Sequence, residues 1–140
     1  MAKRSDGALA EVGGALYQSG YAPAHAAADA TAEHPVFRAP FACKVRKVRI
    51  IPGAAITGVN TDTAYFTLYM RGTDGSGTTE LATRMNVSGT DSVKADSLNL
   101  YAPASPLAIA QDAVLSLQRT KFGTGLATPD LFVEVEYEAN

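Results

Sequence analysis

The strongest constraint on the fold is a series of short apolar runs that begins at Val36 and continues to the C-terminus. The runs are rich in Val, Ile, Phe, Tyr and Thr, and clusters of Gly, Pro, Asn and Asp separate them. β-Branched and aromatic residues favour extended strands, whereas the separating residues favour turns. Roughly eight such runs, with turn signals every 8 to 12 residues or so, predict an all-β fold: a single antiparallel β-sandwich.

The run "DLFVEVEYE" shows the alternation of a half-exposed strand, in which one face packs on a core and the other meets water. "AYFTLYMRG" instead alternates between two semi-apolar faces, which predicts a strand covered on both sides. In the first of these runs the core face carries Leu131, Val133, Val135 and Tyr137, and the opposite face carries Phe132, Glu134 and Glu136.

In "CKVRKVRII" the apolar residues change phase between Val45 and Val48. A β-bulge inserts one extra residue and so returns both halves of a strand to the same face. The pattern therefore predicts a bulge at Arg46 and Lys47.

The first 35 residues differ from the rest, with eleven Ala, four Gly and few large aliphatic side chains beyond Leu9, Val12 and Leu16. Such a segment cannot build its own core. The 140-residue chain has room for one domain. We therefore predict a flexible N-terminal arm over residues 1–35 and a β-sandwich domain over residues 36–140.

The charge balance gives no global attraction to nucleic acid or to an anionic membrane, because 12 basic residues oppose 14 acidic ones. Neither partner is expected. Cys43 is the single cysteine and is interpreted as a core residue. No secretory signal or membrane-spanning run is visible, which indicates synthesis in a cytoplasm.

The stretch "RGTDGSGTTEL", from Arg71 to Leu81, resembles a ligand-binding loop. A phosphate loop needs Lys where Thr78 stands, and a calcium loop needs several acids where only Asp74 is present. The stretch is interpreted as a hairpin turn built on Asp74-Gly75.

No catalytic, metal or cofactor site is predicted. His25 and His34 match no zinc spacing and are interpreted as two solvated histidines. No histidine follows them, which argues against a nucleophilic triad. Glu134 and Glu136 could form a hydrolase pair, but a solvated strand face explains their spacing better.

Four cations between Lys44 and Arg49 could contact nucleic acid. No aromatic residue is interleaved among them. We favour cross-strand pairing with Glu134 and Glu136, or a charged contact of Lys47 and Arg49 with a neighbouring subunit.

The order "VFRAPFACKVRKVRIIPGAAITG", "AYFTLYMRGTDGSGTTELA", "PLAIAQDAVLSLQRTKFGTG" and "PDLFVEVEYE" resembles the small β-sandwich or jelly-roll proteins of tailed bacteriophages, in particular capsid decoration (cement) proteins. The resemblance covers about residues 36–138. In place of the Gly-Asp common before the "VLSL" strand, this chain has Gln111-Asp112-Ala113.

The resemblance implies a jelly-roll-like sandwich and a structural role, without enzyme activity or cofactor. It also implies a homo-oligomer, often a trimer, on the outer surface of a virion capsid, made in a bacterial cytoplasm and bound to the major capsid protein. The arm supplies the expected apolar interface residues, since Tyr gives a large contact area with few rotatable bonds: Leu9, Val12, Leu16, Tyr17 and Tyr21.

The alternative is a phage tail or fibre module that recognises a host surface glycan through loops such as Gly72 to Thr78. An exposed aromatic platform would favour this alternative, whereas the absence of Trp argues against it.

Overall fold

A computed structural model describes residues 14–57, 62–86, 91–92 and 98–140. These residues form β-strands and connecting segments, in agreement with the predicted all-β class. No helix in this described part is long and apolar enough to cross a membrane. The strands are β1 (Leu16–Ala22), β2 (Ala32–Arg38), β3 (Cys43–Pro52), β4 (Ile56–Thr57), β5 (Thr63–Gly72), β6 (Thr79–Asn86), β7 (Asp91–Ser92), β8 (Leu98–Tyr101), β9 (Leu107–Ile109), β10 (Val114–Phe122) and β11 (Leu131–Ala139).

Nine strands build two antiparallel sheets, so the predicted β-sandwich is confirmed. The first sheet has the order β1-β11-β3-β8, and β9 pairs with another part of β3. The second sheet has the order β2-β10-β5-β6, while β4 and β7 form a separate small ribbon. The N-terminal strands thus pair with the C-terminal ones, β1 with β11 and β2 with β10. This is the interleaved strand order of a double-sheet jelly roll.

The core lies between the sheets and consists of alternate residues from the paired strands, as the period of two requires. The second-sheet strand β5 contributes Phe66 and Leu68, which are almost fully buried. Its outer face carries the buried Thr67 and two half-buried tyrosines, so β5 differs from the prediction of a strand covered on both sides: one face packs on the core and the other is the outer face of the sandwich. The first sheet contributes, among others, Val45, Val48, Ile50, Leu131, Val133 and Val135.

The predicted β-bulge in β3 is present. Glu136 of β11 pairs with Lys47 and the next residue, Tyr137, pairs with Val45, so Arg46 is the extra residue. Because of this insertion Val45 and Val48 are both fully buried.

The prediction of an arm over residues 1–35 differs from the structure in its second half. Strand β1 pairs with β11 along its whole length, and β2 crosses the predicted boundary. Gly20 serves close packing: a Cβ atom on it would lie 2.2 Å from the carbonyl oxygen of Val36. This glycine therefore allows the close approach of β1 to β2. Residues 1–13, including Leu9 and Val12, lie outside the described residues, and an arm there stays a prediction.

Candidate functional site

The outer face of the first sheet carries an apolar row that crosses three strands. Tyr21 of β1 lies opposite Phe132 of β11, and Phe132 lies opposite Ile51 of β3. The two aromatic side chains are 56% and 53% exposed, respectively. Large aromatic side chains left half in water on adjacent strands form an apolar surface that a partner could cover.

Two further rows follow along the same strands, with Ser19, Glu134 and Arg49 in one and Tyr17, Glu136 and Lys47 in the other. Tyr17 is 58% exposed. We refer to this surface, defined by Tyr17, Tyr21, Ile51 and Phe132 with Arg49, Glu134 and Glu136 between them, as the aromatic face.

Arg49 lies at the centre of the aromatic face and bridges two acids. Its Nη1 donates to Oε1 of Glu134 at 2.9 Å, and its Nη2 donates to Oε1 of Glu136 at 2.8 Å. The hydrogen bond to Glu136 is the main reason that the pKa of Arg49 is raised. Nε of Arg46 lies 3.7 Å from Oε2 of Glu136. The predicted cross-strand pairing of the basic run with the two glutamates is therefore confirmed.

The structure brings four of the predicted interface residues, Tyr17, Tyr21, Lys47 and Arg49, onto one surface. Leu16 instead packs against the hydrophobic core. The sequence analysis did not place Phe132 and Ile51 among the interface residues, because the sequence alone does not show which strands lie beside β11 and β3. Phe132 did carry a signal: it is the one aromatic residue on the otherwise acidic face of its strand.

Chemically, the aromatic face combines exposed rings with charges that are already paired. A partner that covers it removes apolar surface from water, and the Arg49 guanidinium keeps its hydrogen bonds to glutamate in the process. Both features suit protein–protein contact.

The glycine-rich stretch is the predicted hairpin, since β5 pairs with β6 on either side of it. The amide of Gly77 donates to the carbonyl oxygen of Arg71 at 2.8 Å. The Asp74 carboxylate accepts hydrogen bonds from the amide and the hydroxyl of Ser76, and these lower the pKa of Asp74. The carboxylate thus closes the turn itself, as is common for Asp in turns.

The outer face of the second sheet holds a polar cluster around Glu33. The guanidinium of Arg71 donates two hydrogen bonds to the Glu33 carboxylate, and the Ser116 hydroxyl donates another at 2.5 Å. The bonds from Arg71 are the largest cause of the lowered pKa of Glu33. Arg71 also donates to the carbonyl oxygen of Gly77, so the cluster connects β2, β5 and β10 to the hairpin.

The interpretation of His25 and His34 as two solvated histidines is wrong. Their Nε2 atoms lie 3.1 Å apart in a part-buried hydrogen bond, and the rings stack with centroids 5.3 Å apart. His34 belongs to β2, and the segment that follows β1 folds back to place His25 beside it. Histidines therefore do lie within the folded body.

No group of three or more His, Cys, Asp or Glu side chains among the described residues is placed to hold a metal ion. Cys43 is fully buried, and burial raises the pKa of its thiol. A protonated thiol in the core is unreactive, which agrees with its interpretation as a core residue.

Comparison with known proteins found no matching family model and no matching curated sequence. A chain in the structure of infectious bursal disease virus Gt strain is similar, with 17% identity and a TM-score of 0.40 over 89% of this chain and 36% of that one. A chain of the Gx strain is 16% identical, with a TM-score of 0.37 over 89% of this chain and 36% of that one. A chain of the VP2 subviral particle of that virus is 13% identical, with a TM-score of 0.31 over 89% of this chain and 37% of that one. This chain thus spans little more than a third of each of those chains, and TM-scores this low carry no conclusion about function.

Proposed function

We propose that this protein is a structural virion protein that binds the outer surface of a capsid through the aromatic face, in the manner of the cement proteins that its sequence resembles. The observation that carries the proposal is the placement of Tyr17, Tyr21 and Phe132, each more than half exposed, on two paired strands of one sheet. Aromatic residues with few rotatable bonds are the side chains that most often dominate protein interfaces.

The electrostatics of the aromatic face support a binding role over a catalytic one. Glu134 and Glu136 both accept hydrogen bonds from Arg49. Glycoside hydrolysis needs two carboxyl groups that flank the scissile bond of a substrate, whereas here one guanidinium bridges the two carboxylates. The protein is proposed to be non-enzymatic.

The proposed assembly is a homo-oligomer, a trimer by resemblance to cement proteins, whose partner is the major capsid protein. The chain would be made in a bacterial cytoplasm and would end on the capsid surface. Residues 1–13 supply a second proposed contact through Leu9 and Val12. Many weak copies on a lattice gain avidity without any new contact.

The test is co-sedimentation with capsids assembled from the major capsid protein of the same virus. The double variant Tyr21→Ser, Phe132→Ser is expected to weaken binding at least about thirtyfold, the loss that one aromatic hot spot of about 2 kcal/mol produces. The matched control is Phe122→Ser, which removes an aromatic ring of similar exposure, 47%, from the second sheet. Unchanged binding of the double variant, or an equal loss in the control, would contradict the proposal.

The alternative function, a tail or fibre module that binds a host glycan, has one observation in its favour. Tyr65 and Phe122 lie next to each other on the second sheet, with ring centroids 6.1 Å apart, and exposed rings can stack on sugars. The variant Phe122→Ser separates the two functions. If the wild type binds a glycan array but not capsids, and Phe122→Ser abolishes the glycan binding, the glycan module is the better assignment.

A further inference from the structure

Residues 23–31, which we call the connector, carry the chain from β1 in the first sheet to β2 in the second. Two backbone hydrogen bonds hold the connector in place. The amide of His25 donates to the carbonyl oxygen of Thr128, and the amide of Thr128 donates to the carbonyl oxygen of His25, both at 2.9 Å. Arg119 donates to the carbonyl oxygens of Ala26 and Asp29. The position of the connector therefore determines how β1, which bears Tyr17 and Tyr21, is joined to the second sheet.

The imidazoles of His25 and His34 link the connector to β2. His25 Nδ1 lies 3.3 Å from the Asp29 carboxylate, so this nitrogen carries the proton and donates to Asp29. In the neutral ring Nε2 is then an acceptor, and His34 must donate its own Nε2 proton across the 3.1 Å gap. One proton between the two Nε2 atoms holds the pair together.

We propose that the His25–His34 pair is an acid-operated latch, which holds the connector against β2 at neutral pH and releases it when both rings are protonated. A first added proton leaves the bond intact, because a charged His25 donates both to Asp29 and to a neutral His34. The second proton places a hydrogen on each Nε2 and a positive charge on each ring, so the two rings repel one another. Release is therefore tied to the second protonation of a coupled pair.

The charged groups around the pair stay constant over the working pH range. Asp29 on the connector and Glu33 on β2 both have a lowered pKa, through hydrogen bonds from the Ala26 amide and from Arg71 respectively, so both remain ionised. On β10, Arg119 stays charged. Asp130, near Thr128 in sequence, has its carboxylate against Gly53. Strand β1 contributes no Asp, Glu, Lys, Arg or His.

The direction of the pH effect follows from the folded-state chemistry of His34. Partial burial and the neighbouring His25 lower the pKa of His34 below its ordinary value. The released state, with an ordinary histidine pKa of about 6.5, takes up the proton first. The stabilisation by the latch is thus complete above that pH, and it is lost as the pH falls toward the lowered pKa of the latched state.

The test is amide hydrogen exchange of the wild-type protein from pH 7.5 to pH 5 in buffer with EDTA, after correction for intrinsic rates. The reporters are the amides of His25 and Thr128, and the reference is the β5–β10 ladder. Protection of the reporters is expected to fall about fivefold relative to the ladder, the equivalent of one lost hydrogen bond. Equal behaviour of reporters and ladder would overturn the latch.

The matched variant is His34→Gln, whose amide can still donate to His25 but does not titrate. It is expected to keep its reporters protected at pH 5, and an acid loss equal to that of the wild type would refute the proposal. A second measurement needs no variant: the imidazole resonances of the wild type are expected to titrate in two coupled steps. Independent single titrations at ordinary histidine pKa values would also refute it.

Discussion

Single residues show how this chain orders a segment that lacks large apolar side chains. Arg119 is 2% exposed, and its guanidinium donates to the carbonyl oxygens of Ala26, Ala27 and Asp29 on the connector and of Leu126. Burial lowers the pKa of Arg119, which is the sign of a desolvated cation. The connector is thus held by polar bonds to its backbone, a kind of order that hydrophobic patterning does not reveal.

The variant Arg119→Met is expected to lower the free energy of unfolding by about 3 kcal/mol, because it removes the hydrogen bonds that a buried guanidinium makes to four carbonyl groups. Urea unfolding measures the change. The matched control is Arg38→Met, which removes an arginine whose side chain is 69% exposed and paired with Asp112. In that control the free energy of unfolding is expected to fall by less than about 1 kcal/mol. Equal losses in the two variants would show that Arg119 does not hold the connector.

At the scale of elements, β1 is the part of the fold that sequence reasoning assigned differently. It forms seven residue pairs with β11 and covers an edge that would otherwise be open. Gly20 is needed where β1 approaches the backbone of Val36. The turn before β10 shows the same reliance on local backbone geometry: Asp112 has a φ of +69°, in the left-handed region that Asp tolerates better than most residues.

Two truncations distinguish the contribution of β1 to folding from that of the residues before it. Deletion of residues 1–13 removes none of the described strands and is expected to leave the melting temperature within a few degrees of wild type. Deletion of residues 1–33 also removes β1, the connector and the first two residues of β2, exposes the edge of β11 and is expected to prevent folding or cause aggregation. Thermal unfolding with light scattering measures both. A soluble, cooperatively folded 34–140 fragment would show that β1, the connector and the start of β2 are all dispensable for folding.

At the scale of the whole molecule, the jelly-roll order sets the two outer faces apart. Glu33, with Arg71 and Ser116, lies on the second sheet, and the aromatic face lies on the first, because β2, β5 and β10 belong to one sheet and β1, β3 and β11 to the other. The charges of the aromatic face are paired within it. The proposed contact with a capsid should therefore depend on apolar burial more than on long-range attraction.

Capsid binding is accordingly expected to change less than about threefold between 50 and 500 mM salt, because charges that are paired within the protein add little steering that salt could screen. The variant Lys47→Ala, at the rim of the aromatic face, is expected to bind like the wild type. Binding isotherms at several salt concentrations measure this. A tenfold weakening at high salt would instead assign the contact to the basic run from Lys44 to Arg49.

Local patterning was sufficient for the features that depend on neighbours in the chain. The period-two alternation in 130–138, the phase change that signals the bulge at Arg46, and the Asp-Gly turn chemistry at Asp74 all concern residues within a few positions of one another. Each predicted feature is present in the structure. Such signals are legible because side-chain direction alternates along a strand and because turns are closed by their own side chains.

Tertiary structure decided the features that join distant parts of the chain. The strand order, the inclusion of β1, the pairing of His25 with His34 and the row from Tyr21 through Phe132 to Ile51 all depend on which strands become neighbours. Small residues in β1 carry little apolar signal, so its stability comes from pairing with β11, more than a hundred residues away. Sequence periodicity shows which face of a strand is buried, but only packing shows what lies beside it.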